Sequence, residues 1–199
     1  MGRLTRKESQ DITRARLRQA ARVEFAKAGI SGASVDRICA AAAYSRPAFY
    51  ANFRAKRDLA LDVLGEICAE ETQAWAEMIQ TTPDLPTLIF ALEQRFEAFV
   101  QNRESRLLSA ELRLEAERDE AFGAAYQAMF KPIILMVSEN LRGLARAMGR
   151  EGEVDTHYAA IALYALSHGL ALGRAGLLDG WSAGEILTKC LFSMLSGTA

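Results

Sequence analysis

The stretch AAAAYSRPAFYANFRAK, residues 40–56, gathers a serine, two arginines, four aromatics and a lysine within seventeen residues. Hydroxyl and ammonium groups bind phosphate oxygens, and an arginine fork matches the acceptor edge of guanine. The chemistry on offer is non-covalent recognition of a polyanion. Groups for covalent work are scarce. His157 and His168 are the two histidines, and a Walker loop, C-x-x-C and Glu-x-x-His are missing from the sequence. No catalytic residue, metal ligand or cofactor is assigned, and an enzyme is not expected. Cys39, Cys68 and Cys190 are three, far apart, and are expected to act as small buried hydrophobes.

The charge distribution points the same way. Residues 1–57 hold thirteen Lys/Arg against four Asp/Glu, a net +9, whereas the remainder comes to −10. A basic head on an acidic body suits a head that meets a polyanion. The start of the chain is polar and basic, and no apolar run is expected to approach the ~18 residues of a membrane span. A soluble, cytoplasmic chain is expected.

The elements that must hold these groups are helices. Ala, Leu, Arg and Glu dominate, β-branched residues are few, and no strand pattern emerges. The spacing predicts a first helix over 8–28, with Leu17, Ala20, Ala21, Phe25 and Ala28 on its apolar stripe and Gly29 as its stop. Ser34 caps a short helix over 35–42 whose inner face is Val35, Ile38, Cys39 and Ala42. Ser45 opens another, with Pro47 in its first turn. Longer helices follow at 56–80, 85–102, 104–116, 120–148, 154–178 and 183–197. Pro132 should kink the 120–148 helix by removing a donor from the Ala128 carbonyl. Ser182-x-x-Glu185 is a capping box for the last helix. The fold class is all-α: a three-helix helix-turn-helix head, then a larger helical bundle with a C-terminal two-helix dimerisation face. Two short helices joined by a tight turn, with Arg46 at the start of the second, make a helix suited to the major groove of duplex DNA.

These residues resemble a family. TRARLRQAARVEFAKAGISGASVDRICAAAAYSRPAFYANFRAKRDL is similar to the DNA-binding domain of the TetR family of bacterial transcriptional regulators. Leu17, Ala20, Ala21, Phe25, Gly29, Ser34, Val35, Ile38, Ser45, Phe49, Tyr50, Phe53 and Lys56 carry the likeness. The resemblance implies that Ser34, Ser45, Tyr50 and Lys56 hold phosphates. It implies that Arg37, Tyr44, Arg46, Pro47 and Ala48 lie at or near base edges, with Asn52 at the phosphate rim. Arg3, Arg6, Lys7 and Arg14 are further candidates for an N-terminal arm. The chain departs from the pattern twice. Ala43 stands where the turn usually has Gly, and Ala51 and Asn52 replace common histidines, which bears on base preference.

The body is expected to do two things. The 154–178 helix repeats small residues at Ala162, Ala165, Gly169, Gly173 and Gly176, a face that another helix can approach closely. With Ile186, Leu187, Leu191 and Met194 of the last helix, it forms the dimer face that the resemblance implies. Large, adaptable side chains suggest a pocket for a small apolar or aromatic molecule, made from Trp75, Phe96, Phe99, Phe122, Tyr126, Met129, Phe130 and His168. The division expected is a DNA-binding domain over 1–57 and an effector-binding and dimerisation domain over 58–199. The function expected is a ligand-responsive regulator, a repressor, that binds a palindromic operator as a homodimer and is released by its effector. The alternative is a DNA-bound structural or protein-interaction factor on the same scaffold without an effector.

Overall fold

The computed structural model describes residues 5–172 and 180–197, and among them it contains nine α-helices and no strand. They are α1 (Arg6–Gly32), α2 (Val35–Ala42), α3 (Arg46–Tyr50), α4 (Lys56–Thr81), α5 (Leu85–Gln101), α6 (Arg103–Arg118), α7 (Glu120–Ala147), α8 (Thr156–Leu172) and α9 (Ala183–Ser196). The chain forms two compact units. Unit 1 holds Met1–Ile67 and Arg103–Tyr126; unit 2 holds Cys68–Asn102 and Gln127–Ala199.

Unit 1 is built under the two short helices. Leu17, Ala21 and Phe25 of α1, at spacings of four, are buried together with Ile38, Cys39, Phe49 and Phe53. Thr5 and Glu8 form a reciprocal capping box at the start of α1. The expected stop at Gly29 is real in backbone terms: its φ is 67°, and a further turn runs on to Gly32. The reason lies on α6. Glu111 Oε2 accepts the Ile30 and Ser31 N–H groups at 2.9 and 3.2 Å. A Cβ at residue 29 would sit 2.5 Å from Glu111 Oε1, so glycine serves both the backbone angle and the close carboxylate.

Unit 2 packs α5 against α9. Leu88, Leu92, Phe96 and Val100 form one i, i+4 row, and Ala183, Leu187, Leu191 and Leu195 form the other. Such rows mesh as ridges in grooves. Gly184 lets the helices meet: a Cβ there would strike the Glu93 carbonyl, and its N–H instead donates to Glu97 Oε2 at 2.9 Å. Leu141, Leu144, Ala160 and Leu163 complete this core from α7 and α8.

α7 continues through Pro132 as one helix. Its length and mean hydropathy of 1.2 over an 18-residue window would suffice to cross a membrane, which corrects the sequence expectation that no segment came close. Its buried positions nonetheless face protein: Phe130, Ile133, Leu141 and Leu144 are each at most 8% exposed. The cysteine expectation is also corrected. Cys39 and Cys68 are buried, but Cys190 is exposed.

Asp119 starts α7 by accepting the Phe122 N–H at 3.0 Å, and it meets Arg57 Nη2 at 2.8 Å. The capping bond first, and then the guanidinium, hold its carboxyl below the ordinary carboxylate range. A depressed acid adds stability at neutral pH that is lost as pH falls through its folded pKa. Asp119→Ala is therefore expected to lower the thermal midpoint at pH 7, and the gap from wild type should narrow as pH falls below the ordinary carboxylate range. A gap that persisted at low pH would contradict this account.

Candidate nucleic-acid interface

A left-handed residue joins α2 to α3. Ala43 has φ 57° and ψ 40°, and its N–H returns to the Ala40 carbonyl at 3.2 Å. The Tyr44 N–H closes on Cys39 O at 2.9 Å. An L-residue with a Cβ is strained in this conformation by roughly 1 kcal/mol. Ser45 then caps α3, its Oγ accepting the Ala48 N–H at 3.4 Å. Five residues make little more than one turn, so α3 depends on what lies beneath it. Phe49 is wholly buried, and its ring lies 5.2 Å from Tyr50 and 5.9 Å from Phe53.

The outward groups are those the sequence singled out. Ser45, Arg46, Pro47 and Tyr50 are exposed; Tyr44 and Ala48 are half-buried. Arg46 reaches Asp36 at 3.4 Å, with 58% of its side chain exposed. A hydrogen bond with Tyr50 and then the Asp36 charge raise its pKa. Exposed pairs of this kind contribute at most about 1 kcal/mol, so little holds the guanidinium back from another acceptor. Lys56 Nζ donates to Ala33 O at 2.7 Å and Ser31 O at 3.3 Å. Both acceptors are neutral, so the cation stays uncompensated, beside Ser34 at the start of α2.

Other head cations are committed to the fold. Arg14 donates to Asn52 O and Asp62 at 2.8 and 2.9 Å and lies 4.3 Å over the Phe53 ring. Arg18 bridges Asp62 and Glu66, and Arg57 bridges Glu115 and Asp119. These contacts correct Arg14 as a member of a free N-terminal arm. They also change the picture for Arg37, whose Nε meets Glu24 at 2.5 Å and whose Nη2 donates to Gly32 O at 2.7 Å. Asn52 turns inward, Nδ2 donating to Ala48 O at 2.8 Å while Oδ1 is buried without a partner, rather than standing at a rim. Arg16, Lys27 and Arg54 are exposed and meet no carboxylate among the described residues. Arg3 lies outside the described residues.

Unit 2 contains an apolar cavity of about 60 Å³. Trp75, Phe96, Phe99, Phe130 and His168 line it, as do Cys68, Glu71 and Thr72 of α4, Ile133, Ile134 and Val137 of α7, and Leu163, Tyr164 and Ser167 of α8. Phe122, Tyr126 and Met129 do not. Phe122 and Tyr126 belong to unit 1, where Phe122 packs 4.9 Å under Arg57. Met129 sits one residue before Phe130, on another face of α7. The α4 residues missed are Cys68, Glu71 and Thr72; Cys68 and Thr72 precede the expected Trp75 at a 4, 3 spacing on the same helix face. Burial pushes the Cys68 thiol up to about 12, which leaves it a neutral wall atom. Among the described residues no three His, Cys, Asp or Glu gather as metal ligands.

The expected dimer residues divide. Leu187 and Leu191 are buried within the chain, and Leu187 also lines the cavity, so neither is open to a second copy. Ala165 and Gly169 are exposed and continue a stripe from Tyr158 and Ile161 at spacings of 3, 4 and 4. Ala162, Ile186 and Met194 are half-buried. Gly173 and Gly176 lie outside the described residues.

Residues 17–63 match the profile described as bacterial regulatory proteins, tetR family. That stretch, the helix-turn-helix head, is a tetR-type DNA-binding segment. The chain is similar to GusR of Salmonella enterica at 24% identity and TM-score 0.62, covering 98% of this chain and 100% of that one. A TetR transcription regulator from Haloarcula marismortui ATCC 43049 shares 17% identity over 93% of this chain and 97% of that one, with TM-score 0.63. FadR from Bacillus subtilis, solved in complex with stearoyl-CoA, shares 14% over 92% and 98%, with TM-score 0.62. No curated protein matches significantly. The chain thus carries a tetR-type helix-turn-helix head on a fold it shares with these regulators.

In that head Ala43 stands at the left-handed turn position. Ala43→Gly is expected to raise the thermal midpoint by a few degrees. Relief of the left-handed strain exceeds the extra chain entropy of glycine, by about 0.5 kcal/mol. An unchanged or lowered midpoint would show that the turn is not strained by Ala.

Proposed function

We propose that this chain is a cytoplasmic tetR-family repressor that binds a palindromic operator as a homodimer and leaves it when a small apolar or aromatic effector enters the unit 2 cavity. The observation that carries the reading is the arrangement of α3: Phe49 anchored below, with Ser45, Arg46, Pro47 and Tyr50 outward above. Residues 1–57 form the DNA-binding domain on this reading, and 58–199 the effector and dimer domain. Arg46 meets base edges, helped by Tyr44, Pro47, Ala48 and Arg37. Ser34, Ser45, Tyr50 and Lys56 hold phosphates, joined by Arg16 and Arg54.

Helix α4 supports the coupling. It begins at Lys56, and its distal half supplies Cys68, Glu71, Thr72 and Trp75 to the cavity wall. Ligand pockets usually span about 300–1,000 Å³. A cavity of about 60 Å³ must therefore grow to accept an effector. A ligand that binds the enlarged state better shifts the population toward it, and DNA and ligand then weaken each other reciprocally. The bound stearoyl-CoA of the FadR likeness supports a ligand site in this scaffold, but not that ligand here, since among the described residues no Lys or Arg lines the cavity to face its phosphates.

Dimerisation is assigned to the exposed stripe of Tyr158, Ile161, Ala165 and Gly169 on α8, with Ile186 and Met194 of α9 beside it. A dimer sets two recognition helices one DNA turn apart, about 34–36 Å.

Fluorescence anisotropy with fragments from the native chromosome tests the DNA reading. Affinity should fall with salt at a slope of about −0.9 per phosphate neutralised. Arg46→Ala should narrow the gap between operator and random duplex, whereas Lys56→Ala should weaken both alike. Equal losses in both variants would remove Arg46 from the base edge. Ile161→Glu should give a folded monomer by sedimentation, because the charge falls on an exposed position; a dimer that survived it would move the interface elsewhere.

A further inference from the structure

The geometry points to a small, uncharged, ring-sized effector with one hydrogen-bond acceptor, which would accept from the Trp75 indole N–H. This rests on the reading of the unit 2 cavity as the effector site, and it adds the chemistry that the cavity selects.

Charge comes first. Glu71 is the carboxylate in the wall, and among the described residues no Lys or Arg lines the space. An anion would face that carboxylate with no counter-ion. A cation would gain little, because Glu71 already meets Arg95 Nη2 at 3.0 Å. Moving either ion out of water into an apolar site is strongly unfavourable without a free partner. The occupant is therefore neutral.

Hydrogen bonding comes next. Both aliphatic hydroxyls of the wall already donate within their helices: Thr72 Oγ1 to Cys68 O at 2.8 Å and Ser167 Oγ to Tyr164 O at 2.9 Å. His168 Nδ1 lies 2.9 Å from the same Tyr164 carbonyl. The Trp75 Nε1–H is buried with no acceptor among the described residues. A buried donor without a partner is unfavourable, and an acceptor on the ligand would satisfy it.

Shape follows from the rings. Trp75 stands edge-on to Phe96 at 4.5 Å, while Phe130, Tyr164 and His168 form a ladder with centroids 4.8 and 4.1 Å apart. A flat ring fits between such surfaces. An apolar cavity of about 150 Å³ can hold benzene. This one, at about 60 Å³, has to open modestly for a single ring.

Calorimetry on the full chain with four probes of one size tests the inference: acetophenone, ethylbenzene, benzoate and benzylammonium. Acetophenone should bind tightest and ethylbenzene about five- to tenfold more weakly, the effect of one neutral hydrogen bond. Neither ion should bind measurably. Trp75→Phe should abolish the acetophenone advantage and leave ethylbenzene unchanged. Should that variant fail to fold, the two indole N–H signals of the wild type, assigned with Trp181→Phe, carry the test. The Trp75 signal should move with acetophenone and stay with ethylbenzene.

Tighter binding of either ion, an acetophenone preference that survives Trp75→Phe, an unmoved Trp75 signal, or no binding by any probe would overturn the inference. DNA affinity measured on the same samples separates the two readings. Acetophenone that binds as described without releasing DNA sustains this inference and removes the effector role. Release by benzoate or benzylammonium sustains the effector role and removes this inference.

Discussion

A helix of five residues cannot stabilise itself. Its first turn fixes several dihedral angles for one hydrogen bond, and isolated helices become favourable only beyond about a dozen residues. α3 therefore takes its position from tertiary contacts: the wholly buried Phe49, the Phe53 ring, and the Arg14 guanidinium stacked over that ring and bonded to Asn52 O. Everything proposed for the DNA face depends on that anchorage, because Arg46 and Tyr50 reach outward from a support they do not provide.

The head's positive charge has two physical uses. Part of it is internal: Arg14, Arg18 and Arg57 meet Asp62, Glu66, Glu115 and Asp119, with neutral carbonyls and aromatic faces adding to the bonds. Part of it stays uncompensated at Arg16, Lys27, Arg54 and Lys56. Net charge counts both groups alike, whereas a polyanion meets only the second. Arg46 stands between them, held by one exposed pair and a tyrosine hydroxyl. It can exchange partners at small cost.

Small residues in the body also serve two purposes. Gly184 is inward, where α9 comes so close to α5 that any Cβ would meet the Glu93 carbonyl. Gly169 is outward, with nothing near its Cα. Composition does not separate these cases, and the same ambiguity holds for Leu187 and Leu191. They read as a broad apolar band in sequence and are core in the structure, because α5 and α8 already cover that side of α9.

Much of the fold was legible in the amino-acid order. Helix positions followed from the 3.6 period, and starts followed from Ser34, Ser45 and Ser182, since local hydrogen bonds set them. The resemblance flagged position 43 as one usually held by Gly, and the structure decided that Ala43 is left-handed there. The candidate site was legible only in part. Which cations are spent on the fold, which face Asn52 takes, and whether Phe122 reaches the cavity all depend on residues tens of positions away. Glu111 beneath Gly29 and Arg57 over Phe122 have no local signature. Sequence by itself determined the helices, their caps and the basic head, because those arise from neighbours along the chain. Only the tertiary structure decided which charges remain free and which rings enclose space, because those depend on what distant segments bring into contact.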